Sequence, residues 1–288
     1  MAAAVLRQYT HSKKRREFIG RTIVFLLLTI GAGVMLFPVA FMVSTSLKAN
    51  TQLMVQPIVW IPKPIMWENY VKAWTSVPFT RYTVNTAIYA AVVATATVFV
   101  NAFAAHGFAR FNFPGRNLLF GVLLGTMFIP GMVTMIPQYI MYSKLRWVGT
   151  YLPLVVPSFF ASSFFVFMLR QFILTIPNEL LEAARVDGAR ETYIWARIIL
   201  PLCKPALATV AIMSFDGAWN DYLGPVLYLN NDQLYTLQVG LAMFRTSYDQ
   251  QWQYIMAASF VVLLPVLAIF FVFQRYFLEG YTIGSLRA

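Results

Sequence analysis

Residues 22–46 read TIVFLLLTIGAGVMLFPVAFMVSTS. The stretch carries no charge and exceeds the roughly 20 apolar residues that a helix needs to cross the hydrocarbon of a bilayer. Lys13, Lys14, Arg15, Arg16 and Arg21 precede it, as basic residues also precede a secretory signal. The run is too long for a signal h-region and ends without a small-x-small cleavage site, so it is expected to remain as a first membrane span.

Working outward, similar blocks lie at about 82–105, 118–142, 151–169, 205–229 and 254–273. The fifth is interrupted by Asp216 and Asp221, and Ser259 is the polar exception in the sixth. Six spans agree with a chain of 288 residues that is 59% hydrophobic and only 11% charged, because that much apolar surface exceeds what one folded core hides. Residues 1–288 therefore read as one transmembrane domain of an all-α integral membrane protein. The single cysteine, Cys203, excludes an internal disulfide and a thiolate metal cluster. His11 and His106 stand in separate segments without neighbouring ligands, so no metal site is expected.

Lys and Arg concentrate in the cytoplasmic loops of membrane proteins. With the N-terminus inside, the inner segments hold Arg7, the five basic residues before Thr22, Arg110, Arg116, Arg170, Arg185, Arg190, Arg197, Lys204, Arg275 and Arg287. The outer ones hold only Lys48, Lys63, Lys72, Arg81, Lys144, Arg146 and Arg245, which together with the inner set account for all 22. Both termini are thus expected in the cytoplasm. The net charge of +11 is dispersed among these loops, with no basic helix interleaved with aromatics, so topology and anionic headgroups explain it and a nucleic-acid partner is not expected. Trp74, Tyr82, Trp147, Tyr151 and Trp252 near span ends suit interfacial anchoring.

Between the fourth and fifth spans the chain reads IPNELLEAARVDGAR over 176–190. Asn178 is suited to cap a helix, Glu179 and Glu182 favour its positive end, and Gly188 supplies a left-handed exit. A second helical stretch is expected from Arg190 to just before Pro201. Ala183, Ala184 and Gly188 allow close approach to another surface, and Glu179, Glu182, Arg185 and Asp187 offer charges to orient it there. By periodicity alone two readings stand: a helix that docks on another protein, and an amphipathic connector lying on headgroups.

The run Glu182-Ala183-Ala184-Arg185-Val186-Asp187-Gly188-Ala189, followed by Ile198-Ile199-Leu200-Pro201-Leu202 and Pro205, resembles the EAA signature of permeases of binding-protein-dependent ABC importers. Residues 109–116 (ARFNFPGR), Trp219-Asn220-Asp221, and Gln274-Arg275-Tyr276-Phe277 with Gly280 and Gly284 resemble the smaller, MalG-type permease of carbohydrate importers. Trp195 departs from the pattern, being bulkier than the medium-sized apolar residue expected there.

The resemblance implies a type I importer permease fold in a prokaryotic cytoplasmic membrane. It makes residues 177–204 a cytoplasmic coupling loop whose Glu179, Glu182, Ala183, Ala184, Arg185, Asp187, Gly188 and Ala189 seat in a separate ATPase. The implied partners are a second, larger permease, two ATPase subunits, a periplasmic or lipid-anchored binding protein, and a sugar or oligosaccharide. The sequence has no G-x-x-x-x-G-K-[ST] loop, so no catalytic residue and no cofactor is expected in this chain; ATP and magnesium would sit on the partner.

Polar groups within a bilayer are costly and mark functional sites. Asp216, Asn220 and Asp221, with Trp219 available to stack on a sugar ring, are the candidates for a substrate path. Asn85, Asn101 and Gln138 are candidates too, and for all of these the plainer reading is a helix-to-helix hydrogen bond. Asn231, Asp232, Tyr235, Arg245 and Tyr248, in an outer segment, are expected to meet the binding protein, against the alternative of a solvated loop. Two other classes fit worse: a membrane enzyme lacks a clustered catalytic set, and a secondary transporter leaves the charged loop at Glu182 unexplained. A permease for peptide, amino acid or phosphate is the nearer alternative.

Overall fold

The computed structural model describes residues 2–247 and 251–285, with side chains described at 18–245, 247 and 251–274. Among the described residues there is no strand. The helices are α1 (Ala2–Ser46), α2 (Glu68–Ser76), α3 (Phe79–Arg110), α4 (Arg116–Gly125), α5 (Gly131–Lys144), α6 (Leu152–Val155), α7 (Ser163–Leu174), α8 (Asn178–Val186), α9 (Glu191–Ile194), α10 (Leu200–Leu202), α11 (Lys204–Trp219), α12 (Leu223–Tyr228), α13 (Leu237–Ser247) and α14 (Trp252–Ser285).

Four helical stretches, Phe18–Ser46, Phe79–Arg110, Leu152–Leu174 and Trp252–Gln274, are long and apolar enough to cross a membrane. Among the described residues, two bent pairs raise the number to six if each is counted as one span. In the first, the sequence expected to form a third span is broken at Ile129 and Pro130, where the helix turns by 99° into α5; proline has no N–H to continue the ladder and biases the residue before it away from helix. In the second, Glu191–Leu202 turns by 78° at Cys203 into α11. That helix ends at Trp219 rather than running to 229, and a separate turn of helix, α12, follows.

The stretch after Arg190 also differs from expectation, because it continues through Pro201 to Leu202 instead of stopping before it. Trp195–Ile199 forms a wide π-type turn immediately upstream. Widening the ladder there accommodates a proline ring that would otherwise press on a carbonyl one turn back. Trp195 lies in this turn and packs edge-on against Phe103 of α3, with ring centroids 5.7 Å apart.

The chain divides into two compact units. One comprises residues 1–73 and 248–260. In it the irregular segment after α1 is tied back to that helix's end: Asn69 Nδ2 donates to the carbonyls of Ser46 (2.8 Å) and Lys48 (2.9 Å), and the Tyr70 hydroxyl pairs with Ser46 Oγ at 2.7 Å. Trp60 packs on Phe37 and Phe41.

The second unit, residues 74–247 and 261–288, is built around α3. Ala90, Ala96, Ala102 and Ala105 are buried along it. Such small side chains let neighbouring helix backbones come close, which is where membrane helices gain van der Waals energy. Ala102 and Ala105 join Val166, Leu169 and Ile173 of α7, Ile194 of α9, and Cys203, Ala206 and Val210 around α11 in one apolar core. Asn101 ties α3 to the start of α7, its Oδ1 accepting from the Ser162 N–H at 2.7 Å while its Nδ2 donates to Thr97 O.

Candidate functional site: an anchored surface helix and the far end of the same bundle

Helix α8 carries Glu179 in its first turn and Arg185 in its last, an order that suits the helix dipole. Its one buried residue is Leu181, which is 2% exposed and belongs to the core shared by α3, α7 and α11. The opposite face, with Glu179, Glu182, Ala183 and Val186 at helical spacing, is open, and Val186 is 87% exposed. Arg185, Asp187 and Gly188 are exposed as well. Ala184 and Ala189, expected on the docking side, instead turn inward and pack against the core.

The end of α8 shows why small residues recur here. Gly188 has φ +83°, the left-handed conformation that glycine adopts without steric cost. Its N–H donates to Arg185 O at 3.0 Å, and the Ala189 N–H reaches back to Ala184 O at 3.0 Å, forming a Schellman termination. Ala184 and Ala189, at the two positions where this motif carries apolar side chains, both pack against the core. Arg185 then bonds Glu191 across the turn, Nε to Oε1 at 2.6 Å, which raises the guanidinium's pKa above its ordinary value. Both groups are partly solvated, so the pair orients the loop more than it stabilises the fold.

Asn178, expected to cap the first amides, is the first residue of α8, following an extended Pro177, and makes no such bond. Its side-chain oxygen accepts from Arg110 Nη1. Nη2 of the same guanidinium donates to the carbonyls of Ile173 and, at 2.6 Å, Ile176, beyond the end of α7. One arginine therefore holds the ends of α3 and α7 and the beginning of α8. Arg110 was not a candidate from sequence, where it stands as one basic residue in the ARFNFPGR run.

At the break after α11, the four polar and aromatic candidates divide. Trp219 is buried, stacks on Phe215 at 5.6 Å, and donates from Nε1 to Val262 O at 3.4 Å. Asp221 accepts from the Tyr89 hydroxyl at 3.0 Å and from the Gly224 N–H at 3.1 Å, holding α12 against α3. Asp216 and Asn220 are exposed and bonded to each other at 2.9 Å, and Asn220 Oδ1 accepts from Gln238 of α13 at 3.1 Å. Asp216 also lines a groove of about 230 Å³ with Ile212, Met213, Phe215 and Val266 among its apolar walls. Gln238, half-buried, completes the polar set and had no sequence signal beyond a polar residue in an apolar helix. Gln138 is exposed on α5.

The two aspartates should therefore respond differently to truncation. Asp221→Ala is expected to lower the thermal stability of the purified chain by about 1.5–3 kcal/mol, the usual scale for hydrogen bonds to a charged group. Asp216→Ala is expected to stay within about 0.5 kcal/mol of the parent while reducing transport, a difference read by melting and uptake assays on the same preparations.

The segment expected to meet the binding protein is fastened to the other end of α3. Asn85 Nδ2 donates to the carbonyls of Gln233 (2.9 Å) and Tyr235 (3.0 Å), Thr86 Oγ1 accepts from the Leu237 N–H (2.8 Å), and Tyr151 OH donates to Leu234 O (2.6 Å). Asn231 caps its own turn through the Gln233 N–H, Asp232 is exposed, and the Tyr235 ring packs on Tyr82. Arg245 is exposed on α13, and Tyr248 lies outside the described residues.

Lipid-length helices, some of them bent, together with an anchored amphipathic helix displayed at one end, define a polytopic membrane permease. Residues 97–281 match the family described as the inner membrane component of binding-protein-dependent transport systems, and the chain belongs to that family. It is 32% identical to the arabinooligosaccharide transport permease of Halalkalibacterium halodurans, over 91% of this chain and 96% of that one. It is 34% identical to the sn-glycerol-3-phosphate transport permease of Yersinia enterocolitica, over 88% of this chain and 93% of that one. The fold matches a chain of a bacterial ABC transporter that imports the acidic polysaccharide alginate, with a TM-score of 0.79 at 23% identity, covering 91% of this chain and 98% of that one. It also matches a chain from the alginate transporter complexed with a pentasaccharide-bound periplasmic protein, at a TM-score of 0.61 and 15% identity, covering 90% of this chain and 91% of that one. The type I importer permease fold expected from sequence is thus the fold of this chain.

Proposed function

We propose that this chain is one half of the transmembrane path of an ATP-driven importer of sugars or oligosaccharides in a prokaryotic cytoplasmic membrane. It works with a second, larger permease, two copies of an ATPase subunit, and a periplasmic or lipid-anchored binding protein. The observation that carries this reading is α8: a short charged helix held to the core by Leu181 and presenting Glu179, Glu182, Ala183 and Val186 outward. Docked on an ATPase, it turns closure of that subunit into movement of the bundle. The cytoplasmic side is assigned to α8 by the basic residues of its loop, which leaves residues 231–247, bound at the far end of α3, to meet the binding protein. The named cargoes of the relatives favour a carbohydrate or a small polyol ester.

The test is ATP hydrolysis by the chain reconstituted with its partners. Sugar-loaded binding protein is expected to stimulate hydrolysis, and Glu182→Lys, which reverses a charge on the docking face, is expected to remove most of the stimulation while the subunits remain assembled. Stimulation by a binding protein loaded with amino acid, peptide or phosphate, and not with sugar, would transfer the chain to the alternative solute class.

A further inference from the structure

Two surfaces that this reading assigns to different partners are attached to opposite ends of one helix. At its C-terminal end α3 holds α8 through Arg110, which bonds Asn178 and the carbonyls of Ile173 and Ile176. At its N-terminal end it holds the segment 233–240 through Asn85 and Thr86, and through Tyr82, whose ring lies against Gly240. As a whole α3 runs unbroken for 32 residues, about 48 Å at helical rise, more than the bilayer's hydrocarbon thickness. Other helices of the chain are interrupted: α4 and α5 meet at 99°, α9–α10 and α11 at 78°, and α1, α5 and α14 carry internal prolines. A broken helix absorbs displacement at its joint. An unbroken one passes it on.

We propose that α3 is the strut that makes the two docking surfaces respond to each other, and that Arg110 is the positioning residue fastening it to α8. This rests on the proposed function. The chemistry of the fastening is specific to arginine. Among the described residues no carboxylate lies within ion-pair distance of Arg110, so its role is geometric: a planar fork reaching three acceptors on two elements at once. Lysine, with one nitrogen on a flexible stem, cannot span them. When the ATPase displaces α8, the ends of α7 and α3 move with it as one body. By thermodynamic reciprocity, docking of the loaded binding protein on the outer segment then biases α8 by the same factor.

The experiment measures the affinity of sugar-loaded binding protein for the complete complex in lipid nanodiscs, with and without a non-hydrolysable ATP analogue. In the parent complex the ratio of the two affinities is expected within the roughly 5–150-fold range usual for coupled sites. Arg110→Lys is expected to bring it close to one with assembly and basal hydrolysis retained. Asn178→Ala removes one of the three acceptors and decides the matter should Arg110→Lys fail to assemble; it is expected to lower the ratio in the same direction. Arg170→Lys is the control, since among the described residues Arg170 donates to Phe108 O and stacks over Phe120 and has no hydrogen bond to α8, and its ratio is expected to match the parent. A purely structural role for Arg110 would lower the yield of complex and leave the ratio intact, and that result overturns the strut. An unchanged ratio in Asn178→Ala does so too. If the parent complex shows no ratio different from one and no stimulation, the proposed function itself falls, and the strut with it.

Discussion

Gly188→Val is expected to reduce uptake by the assembled importer at least tenfold while leaving the membrane bundle folded. Gly188 sits at φ +83° with open space around the position of a β-carbon, so crowding is not the cause. The cost is conformational: an L-residue in the left-handed region loses about 1–2 kcal/mol, and a β-branched one is worse placed still. Since Gly188 lies in an exposed loop, the chain relieves that cost by leaving the conformation. The two backbone bonds that end α8, from Gly188 to Arg185 and from Ala189 to Ala184, then go, and Ala184 and Ala189 lose their contact with the core. The loop is redirected as a result, and Arg185 no longer faces Glu191. Gly188→Asn is the informative companion, because asparagine tolerates the left-handed region and is expected to retain much of the activity. Uptake in proteoliposomes, set beside the thermal melting of the same preparations, checks both. Equal loss in the two variants would show that side-chain bulk against the partner, and not backbone geometry, governs the position.

The second large effect is expected at the opposite end of α3. A β-carbon on Gly240 would lie 2.2 Å from Cδ2 and 2.6 Å from Cε2 of Tyr82, where ordinary contacts between carbon atoms are near 3.5–4.0 Å. The Tyr82 ring is 5% exposed and held between Phe79 and Tyr235, so it has nowhere to swing. In Gly240→Ala, α13 must therefore lift from α3, with a strain of about 3 kcal/mol, the upper part of the usual range for overpacking. Stimulation of hydrolysis by the loaded binding protein is expected to fall severely, while basal hydrolysis and assembly persist. Hydrolysis with and without binding protein is the measurement. Full stimulation in Gly240→Ala would mean that the outer segment does not need its seat on Tyr82.

The features that were legible in the sequence are those set by short-range rules. Hydropathy over 22–46 announces a helix without reference to anything distant, and the glycine that ends α8 is read from local stereochemistry alone. The breaks were partly legible, since Pro130 stands in the third apolar block, but composition does not say whether a proline bends a helix by a few degrees or by 99°. Contacts between distant residues were not legible. That Asp221 faces Tyr89, that Asn85 supports carbonyls nearly 150 positions later, and that Ala184 turns inward all depend on which helices are neighbours. Arg110 illustrates the difficulty most sharply: as a residue it resembles any cation at a membrane boundary, and only the position of the α7 terminus reveals what it does.

The burial of the single cysteine in the apolar core has a practical side. Cys203 is 1% exposed, so the native chain offers thiol-directed reagents no accessible target. A spectroscopic label attached through a cysteine at exposed Thr175, just before α8, or on the outer segment, starts from a background that is silent without any alteration of the native cysteine. The two ends of the bundle are thereby open to distance measurements during turnover in a protein otherwise left as it is.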